Sequence, residues 1–338
     1  MGQDWTVVNL DRREYRYMGK IIEGWFDDPN MTLTWALSMP LEKEKLDPKG
    51  SLTKIRLPVM DRRSLGMLGK LPLEMIRAVL SNIAEVVDVA ALSLANRSLV
   101  DLGLERVRDM LYERFRCQSW AGDRLVCIGT RLEGIPKEVL TEAEFAEFSK
   151  GEEPFAYQVQ ASRFVALDTE NSEAEERMDA HMTCPFIEVD HDGALRRRFT
   201  DMSPRRKWLE WKMRRITEDE EKVLDTMGEL RGWALRKGVW VACNLSKKQY
   251  VHQDAAKAIN EKKGSPFGRG WLGYCSLGFL TGVLVCWPQE GDDEVERGPW
   301  AGDRVAIMTF DKMKESEGEW VDISKEAIRK TWAMTCLR

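Results

Sequence analysis

Hydrophobic residues along this chain keep two rhythms, and the change falls near residue 117. From 71 to 115 the apolar positions recur at helical spacing in three bursts. The first holds Ile76, Val79, Leu80 and Ile83, the second Val89 and Leu92, and the third Leu99, Leu102, Val107 and Leu111. Beyond Cys117 short apolar runs alternate with glycine, proline and acidic loops, a texture that predicts strands. The runs are Leu125–Ile128, Phe155–Val159, Arg163–Leu167, Val239–Leu245, Leu272–Trp287 and Arg304–Phe310. The fifth reads as two buried strands and a turn. Residues 1 to 64 are charge-rich and weakly periodic, with turn signals at Asp28-Pro29-Asn30 and Asp47-Pro48-Lys49-Gly50, and read as a weakly structured arm.

Capping signals sharpen this picture. Leu71-Pro72 opens the first helix, because proline lacks the N–H that a first helical position would leave unpaired anyway. Glu74 then lies in the first turn, where the helix dipole favours a negative charge. Asp88 can cap the second helix. Three further helix starts carry a Ser or Thr followed three residues on by an acid or amide: Thr141 with Glu144, Thr217 with Glu220, and Ser246 with Gln249. Gly264 is a stop for the last of these. The expectation is an α+β fold, with a small three-helix motif at 65–116 and a larger domain at 117–338. That larger domain is expected to hold antiparallel strands with capped helices on them.

One internal repeat stands out. Trp120-Ala121-Gly122-Asp123-Arg124 recurs 180 residues later as Trp300-Ala301-Gly302-Asp303-Arg304. Each copy precedes an apolar run, a polar loop and a helix-like segment near Thr141 or Ser324. The period is too long for a solenoid, so it predicts a duplicated strand–loop–helix unit within one domain. The residue types suit a structural strut, in which Trp packs, Gly turns, and Asp and Arg cap the start of the strand. The alternative is a ligand or catalytic site built on Asp123/Arg124 and Asp303/Arg304. That alternative requires a concave pocket and another titratable group beside the pairs.

Composition removes several function classes. Hydrophobic residues are 43% and charged residues 32% of the chain, the balance of a folded water-facing protein. The net charge of -5 gives no reason to expect a polyanion or an anionic membrane as partner. The uncharged stretch Trp271–Trp287 falls short of the ~20 residues needed to span a bilayer. The seven cysteines occur singly with no CxxC, which points to a reducing compartment, cytoplasmic or nuclear. Thirteen tryptophans imply a large core or a broad contact surface.

Candidate chemistry thins out on inspection. His181-x-x-Cys184 with His191 lacks the paired ligands of structural zinc sites, so neither a metal nor another cofactor is expected. Gly268-Arg269-Gly270-Trp271-Leu272-Gly273 spells a dinucleotide fingerprint, yet a helix precedes it and strand-like residues follow, the reverse of the required order. Ser276 misses a nucleophile elbow by one residue, and three histidines give little support to a Ser–His–acid relay. Residues 196–215 mix nine bases with Phe199, Trp208 and Trp211, in the manner of a single-strand platform. Acidic stretches at 168–179 and 217–221 bracket that segment, which argues for internal neutralisation and against nucleic acid.

The helical segment resembles the F-box family. The resemblance rests on Leu71, Pro72, Glu74, Met75, Ile76, Val79, Leu80, Ser81, Ile83, Asp88, Leu92 and Arg97, and spans about residues 69 to 115. NLSKKQYV, VLVCWPQ and RGPWAGDRVAI are similar to segments of large fungal families that place such a motif before a C-terminal domain. The resemblance implies a non-catalytic substrate receptor of a cullin-type ubiquitin ligase. Its helices would dock on a Skp-type adaptor through Leu71, Pro72, Met75, Ile76, Val79, Leu80, Ile83, Leu92 and Leu99, and its larger domain would bind a protein target. An F-box-like binding protein working outside a ligase is the alternative within the same class.

Overall fold

The computed structural model describes residues 4–20, 32–39, 65–129, 132, 135–148, 187–188, 238–267, 275–288 and 296–335. Their elements begin with strands β1 (Asp4–Asn9) and β2 (Glu14–Lys20), helix α1 (Thr32–Leu37), and helices α2 (Leu73–Ser81), α3 (Val86–Ala95) and α4 (Val100–Gln118). Strand β3 (Leu125–Gly129), helix α5 (Glu142–Phe148) and strands β4 (Ile187–Glu188), β5 (Trp240–Asn244) and β6 (Gln249–His252) follow. Helices α6 (Gln253–Glu261) and α7 (Leu277–Leu284) precede strands β7 (Cys286–Trp287) and β8 (Val305–Thr309). Helix α8 (Phe310–Glu315), strand β9 (Val321–Asp322) and helix α9 (Ser324–Thr335) close the series. The class is α+β, as the sequence predicts. Two units share the chain, one made of residues 1–39, 120–190 and 239–338, the other of 40–119 and 191–238.

The first unit holds two sheets with the same plan. One has the order β4-β2-β1-β3-β7 and the other β8-β5-β6-β9. In each, a hairpin (β1–β2 or β5–β6) pairs antiparallel with a later strand, β3 or β8, and parallel with a short edge strand, β4 or β9. The fifth position is also matched, because β7 runs parallel to β3 and Ser38 bridges parallel to Ile307 of β8. Here the copies exchange edges: β7 follows the second hairpin yet completes the first sheet, and Ser38 follows the first hairpin yet completes the second. Strands β3 and β5 are buried at every residue, which is why they read as unbroken apolar runs.

Three expectations are corrected in this unit. Asp4–Asn9 and Glu14–Lys20 are not part of a weak arm but strands inside the first sheet, and Trp5, Val7 and Val8 are buried. The run Leu272–Trp287 is not two strands, since Leu277–Leu284 is a helix capped by Ser276, whose hydroxyl accepts the Phe279 N–H at 3.1 Å. Every residue of that helix is buried, so no polar face marks its period. Ser246 with Gln249 does not start a helix; Gln249 opens β6, and the helix begins at Gln253 behind a His252 cap. The Thr141–Glu144 capping box is formed in both directions, at 2.8 and 3.3 Å.

The second unit, in its described part, is a set of three helices with short 3-10 turns at Leu68–Lys70 and Arg97–Leu99. Its core gathers Leu65, Ile76, Leu80, Val89, Leu99, Val100, Leu102, Leu104 and Val107. Helices α3 and α4 approach so closely that a Cβ on Gly103 would lie 1.6 Å from Ser93 Oγ. The Phe155–Val159 and Arg163–Leu167 runs, the Thr217 cap, Gly268–Gly273, His181, Cys184, His191 and the charged stretches at 168–179 and 196–215 lie outside the described residues.

Candidate functional site

The two Trp-Ala-Gly-Asp-Arg turns meet at the junction of the duplicated halves. The Leu125 N–H donates to the Asp303 carbonyl and the Val305 N–H to the Asp123 carbonyl, both at 3.1 Å. The Gly122 N–H reaches the Val305 carbonyl at 2.8 Å and the Gly302 N–H the Leu125 carbonyl at 2.7 Å. Arg124 and Arg304 form an antiparallel bridge between these pairs. Such reciprocity is the signature of a two-fold relation between the copies. Gly122 and Gly302 have φ of +95° and +83°, a region that a Cβ disfavours, which accounts for glycine at the third position of the motif.

Within each copy the motif is pinned by its own hairpin. Trp120 and Trp300 are fully buried, and their indole N–H groups donate to Glu14 and Gln249, the first residues of β2 and β6. Asn9 and Asn244, also fully buried, end β1 and β5. Each uses its amide twice over. Asn9 donates to Asp123 at 2.8 Å while its oxygen accepts the N–H groups of Asp11 and Arg12. Asn244 donates to Asp303 at 2.7 Å while its oxygen accepts the Lys247 N–H. A base three residues after each Asn repeats as well, with Arg12 on Asp123 at 2.9 Å and Lys247 on Asp303 at 2.7 Å.

The copies differ in charge at Glu14 against Gln249 and at Asp11 against Ser246, and the second difference reaches across the junction. Asp11 accepts from Arg124 Nε at 2.7 Å and from the Arg124 N–H at 3.1 Å, and it also holds Arg304 at 2.7 Å. Its counterpart Ser246 accepts the Arg304 N–H, at 3.0 Å, and carries no charge to hold the guanidinium. One carboxylate therefore serves both arginines. Burial alone would raise the Asp11 carboxyl, but the bonds from Arg124 and the charges of Arg124 and Arg304 outweigh it and lower the value. The Arg124 guanidinium also grips Glu144, and with the Thr141 bonds this holds the Glu144 carboxyl down at about 2.

This arrangement bears on the two uses of the motif. Asp123, Arg124, Asp303 and Arg304 are each engaged by groups of the same unit, as a structural strut requires. The buried thiols Cys127 and Cys243 are poor nucleophiles where they stand. Burial pushes Cys127 up, with Cys286 beside it adding to the effect, and pushes Cys243 up to about 12. Among the described residues no group of three or more His, Cys, Asp or Glu is placed to hold a metal ion, and no helix is long and apolar enough to cross a membrane.

The helical unit presents the other candidate surface. Of the nine predicted adaptor-binding residues, Ile76, Leu80 and Leu99 are each 2% exposed and fill the unit's own core. Leu71, Ile83 and Leu92 pack partly against it. Pro72, Met75 and Val79 face outward, the last two at 52% and 40% exposure, and Met67 is 84% exposed. The correction is physical: spacings of three and four put Ile76 and Leu80 on the face that α2 needs for its own packing, leaving the adjacent stripe free.

Sequence reasoning missed Asn9, Asp11, Arg12, Glu14 and their partners Asn244, Ser246, Lys247 and Gln249. The signal was present as NLDRREY (9–15) and NLSKKQY (244–250), which share Asn, Leu, two bases and Tyr. No family model, no curated protein and no solved structure matches the chain.

Proposed function

We propose that the helical unit docks on a Skp-type adaptor in the manner of an F-box, and that the duplicated domain is the receptor half of a cullin-type ubiquitin ligase, working in the cytoplasm or nucleus. The observation that carries the reading is the two-faced character of α2. Its inner face closes the unit's core, while Pro72, Met75 and Val79 remain outside with Met67 nearby in sequence. Large apolar side chains on the surface of a small helical unit mark a site that a partner covers. Burying each of them would contribute roughly 1.5–3 kcal/mol. The role is non-catalytic, and the internal engagement of Asp123, Arg124, Asp303 and Arg304 favours it over a site that works on a bound ligand.

The test is a pull-down from cell extract with the wild type and with the double variant Met75→Asp/Val79→Asp, which alters exposed positions only. The wild type is expected to retain a Skp-type adaptor and a cullin; the variant is expected to lose both while keeping its far-ultraviolet circular dichroism. Equal recovery of the adaptor by both proteins would move the docking surface elsewhere, and absence of any adaptor would end the ligase reading.

A further inference from the structure

The duplication locates the helical unit in the chain in a way that the motif alone does not. In the first copy, α1 leads through Ser38 and Met39 to the turn at Trp120; in the second, α7 leads through Cys286 and Trp287 to the turn at Trp300. The equivalence is fixed by hydrogen bonds. The Trp120 N–H donates to the Ala36 carbonyl at 2.6 Å and the Trp300 N–H to the Leu284 carbonyl at 2.9 Å. Ser38 bridges parallel to Ile307 just as Cys286 pairs with Cys127, and Ile307 and Cys127 hold the same place after the repeated motif. Pro40 and Pro288 begin the two connections. The second connection is 12 residues long, 288–299, whereas the first is 80 residues long, 40–119, and contains all three helices.

We propose that the helical unit is an insertion in a loop of the first repeat, and that it folds and unfolds as a module independent of the duplicated domain. The cores support this division. Every described member of the helical core, and every described hydrophobic residue packed on it, lies between 65 and 110. Two clusters of the duplicated domain, one around Val8 and Ile128 and one around Val241 and Met308, draw no described residue from 40–119. Connections that can be lengthened without disturbing a fold tie their ends together locally, and both ends of the insertion are held by backbone bonds: Met39 to Ile307 and Trp120 to Ala36. The inserted module and the proposed docking surface coincide, but the independence of the module rests on its packing and not on what binds it.

Hydrogen exchange read by mass spectrometry on the full chain tests the proposal, with the wild type compared to Leu80→Ala and, as a milder core change, Val107→Ala. Removing Leu80 from a closed core is expected to speed exchange on the order of 30-fold or more across Leu73–Gln118. Peptides covering Leu125–Gly129 and Trp240–Asn244 are expected to keep their wild-type rates within about twofold, because separate cooperative units open separately. Faster exchange in those strands under either variant would overturn the proposal, as would variants that leave Leu73–Gln118 unchanged. Loss of adaptor binding in these variants has no bearing on this outcome, so the module and the docking assignment fail separately.

Discussion

Replacing Asp11 by asparagine would remove one charge from the junction of the two repeats while keeping the side chain's shape. Asp11 and Arg124 have side chains 21% and 20% exposed, so water screens their pair only in part. The Arg304 side chain is 50% exposed, and its share of the effect is discounted accordingly. A hydrogen bond to a charged group contributes about 1.5–3 kcal/mol, and asparagine keeps one acceptor oxygen for the three donors that face it. Arg124 retains Glu144 and Arg304 the Gly122 carbonyl, so neither guanidinium is left bare. The net expected loss is about 2 kcal/mol at pH 7. The two-fold relation then makes a second prediction from the same site. Ser246→Asp would place a carboxylate beside the Arg304 N–H, and in the Asp11→Asn background it is expected to recover about half of that loss. Urea unfolding followed by far-ultraviolet circular dichroism measures all four proteins, and a shift in midpoint without a change in slope identifies a stability effect. The Asp11 carboxyl is lowered in the fold, so its contribution is full above the unfolded carboxylate range and fades as pH falls through the folded value. The gap between wild type and Asp11→Asn must therefore close in acid. A loss under about 0.5 kcal/mol at pH 7, the range of an ordinary surface change, would refute the shared-carboxylate account.

Trp120→Ala and Trp300→Ala are each expected to cost roughly 3–5 kcal/mol, because both indoles are fully buried with a bonded N–H. Equivalence of the copies requires the two urea midpoints to fall by similar amounts, and a mild effect at only one would show that the turns are not alike. Glu144, held at about 2 by Arg124, contributes stability that is present above about pH 4.5 and lost as pH falls toward 2, so Glu144→Gln should flatten the acid limb of the stability profile.

What the sequence made legible depended on how locally each signal was carried. The three helices of the second unit were readable because each has a face, and Ile76, Leu80 and Val107 repeat on it. The strands at Leu125, Trp240 and Val305 were readable as short buried runs between turns. Helix α7 was not, since Leu277 to Leu284 is buried all round and periodicity has nothing to contrast; the Ser276 cap was the one local sign. The first hairpin escaped for a different reason. Asp11, Arg12, Arg13 and Glu14 make its tip look like solvated coil, yet they are bound to residues more than a hundred positions away. Ser246 with Gln249 mimicked a capping box because the hairpin tip, with Lys248 at φ +54°, uses the same spacing for a turn. Which of two apolar stripes on α2 faces outward was also beyond periodicity, which fixes spacing but not direction. The insertion could be recognised only once both connections were seen to start and end at matching bonds.

The most direct measurement for the account is binding of the purified full chain to a purified Skp-type adaptor, followed by titration calorimetry. The account predicts saturable binding at micromolar concentration or tighter, abolished by Met75→Asp/Val79→Asp and little changed by Asp11→Asn, since the docking stripe and the repeat junction lie in different units. No heat with the folded wild-type protein, or equal affinity for the Met75→Asp/Val79→Asp variant, would contradict it.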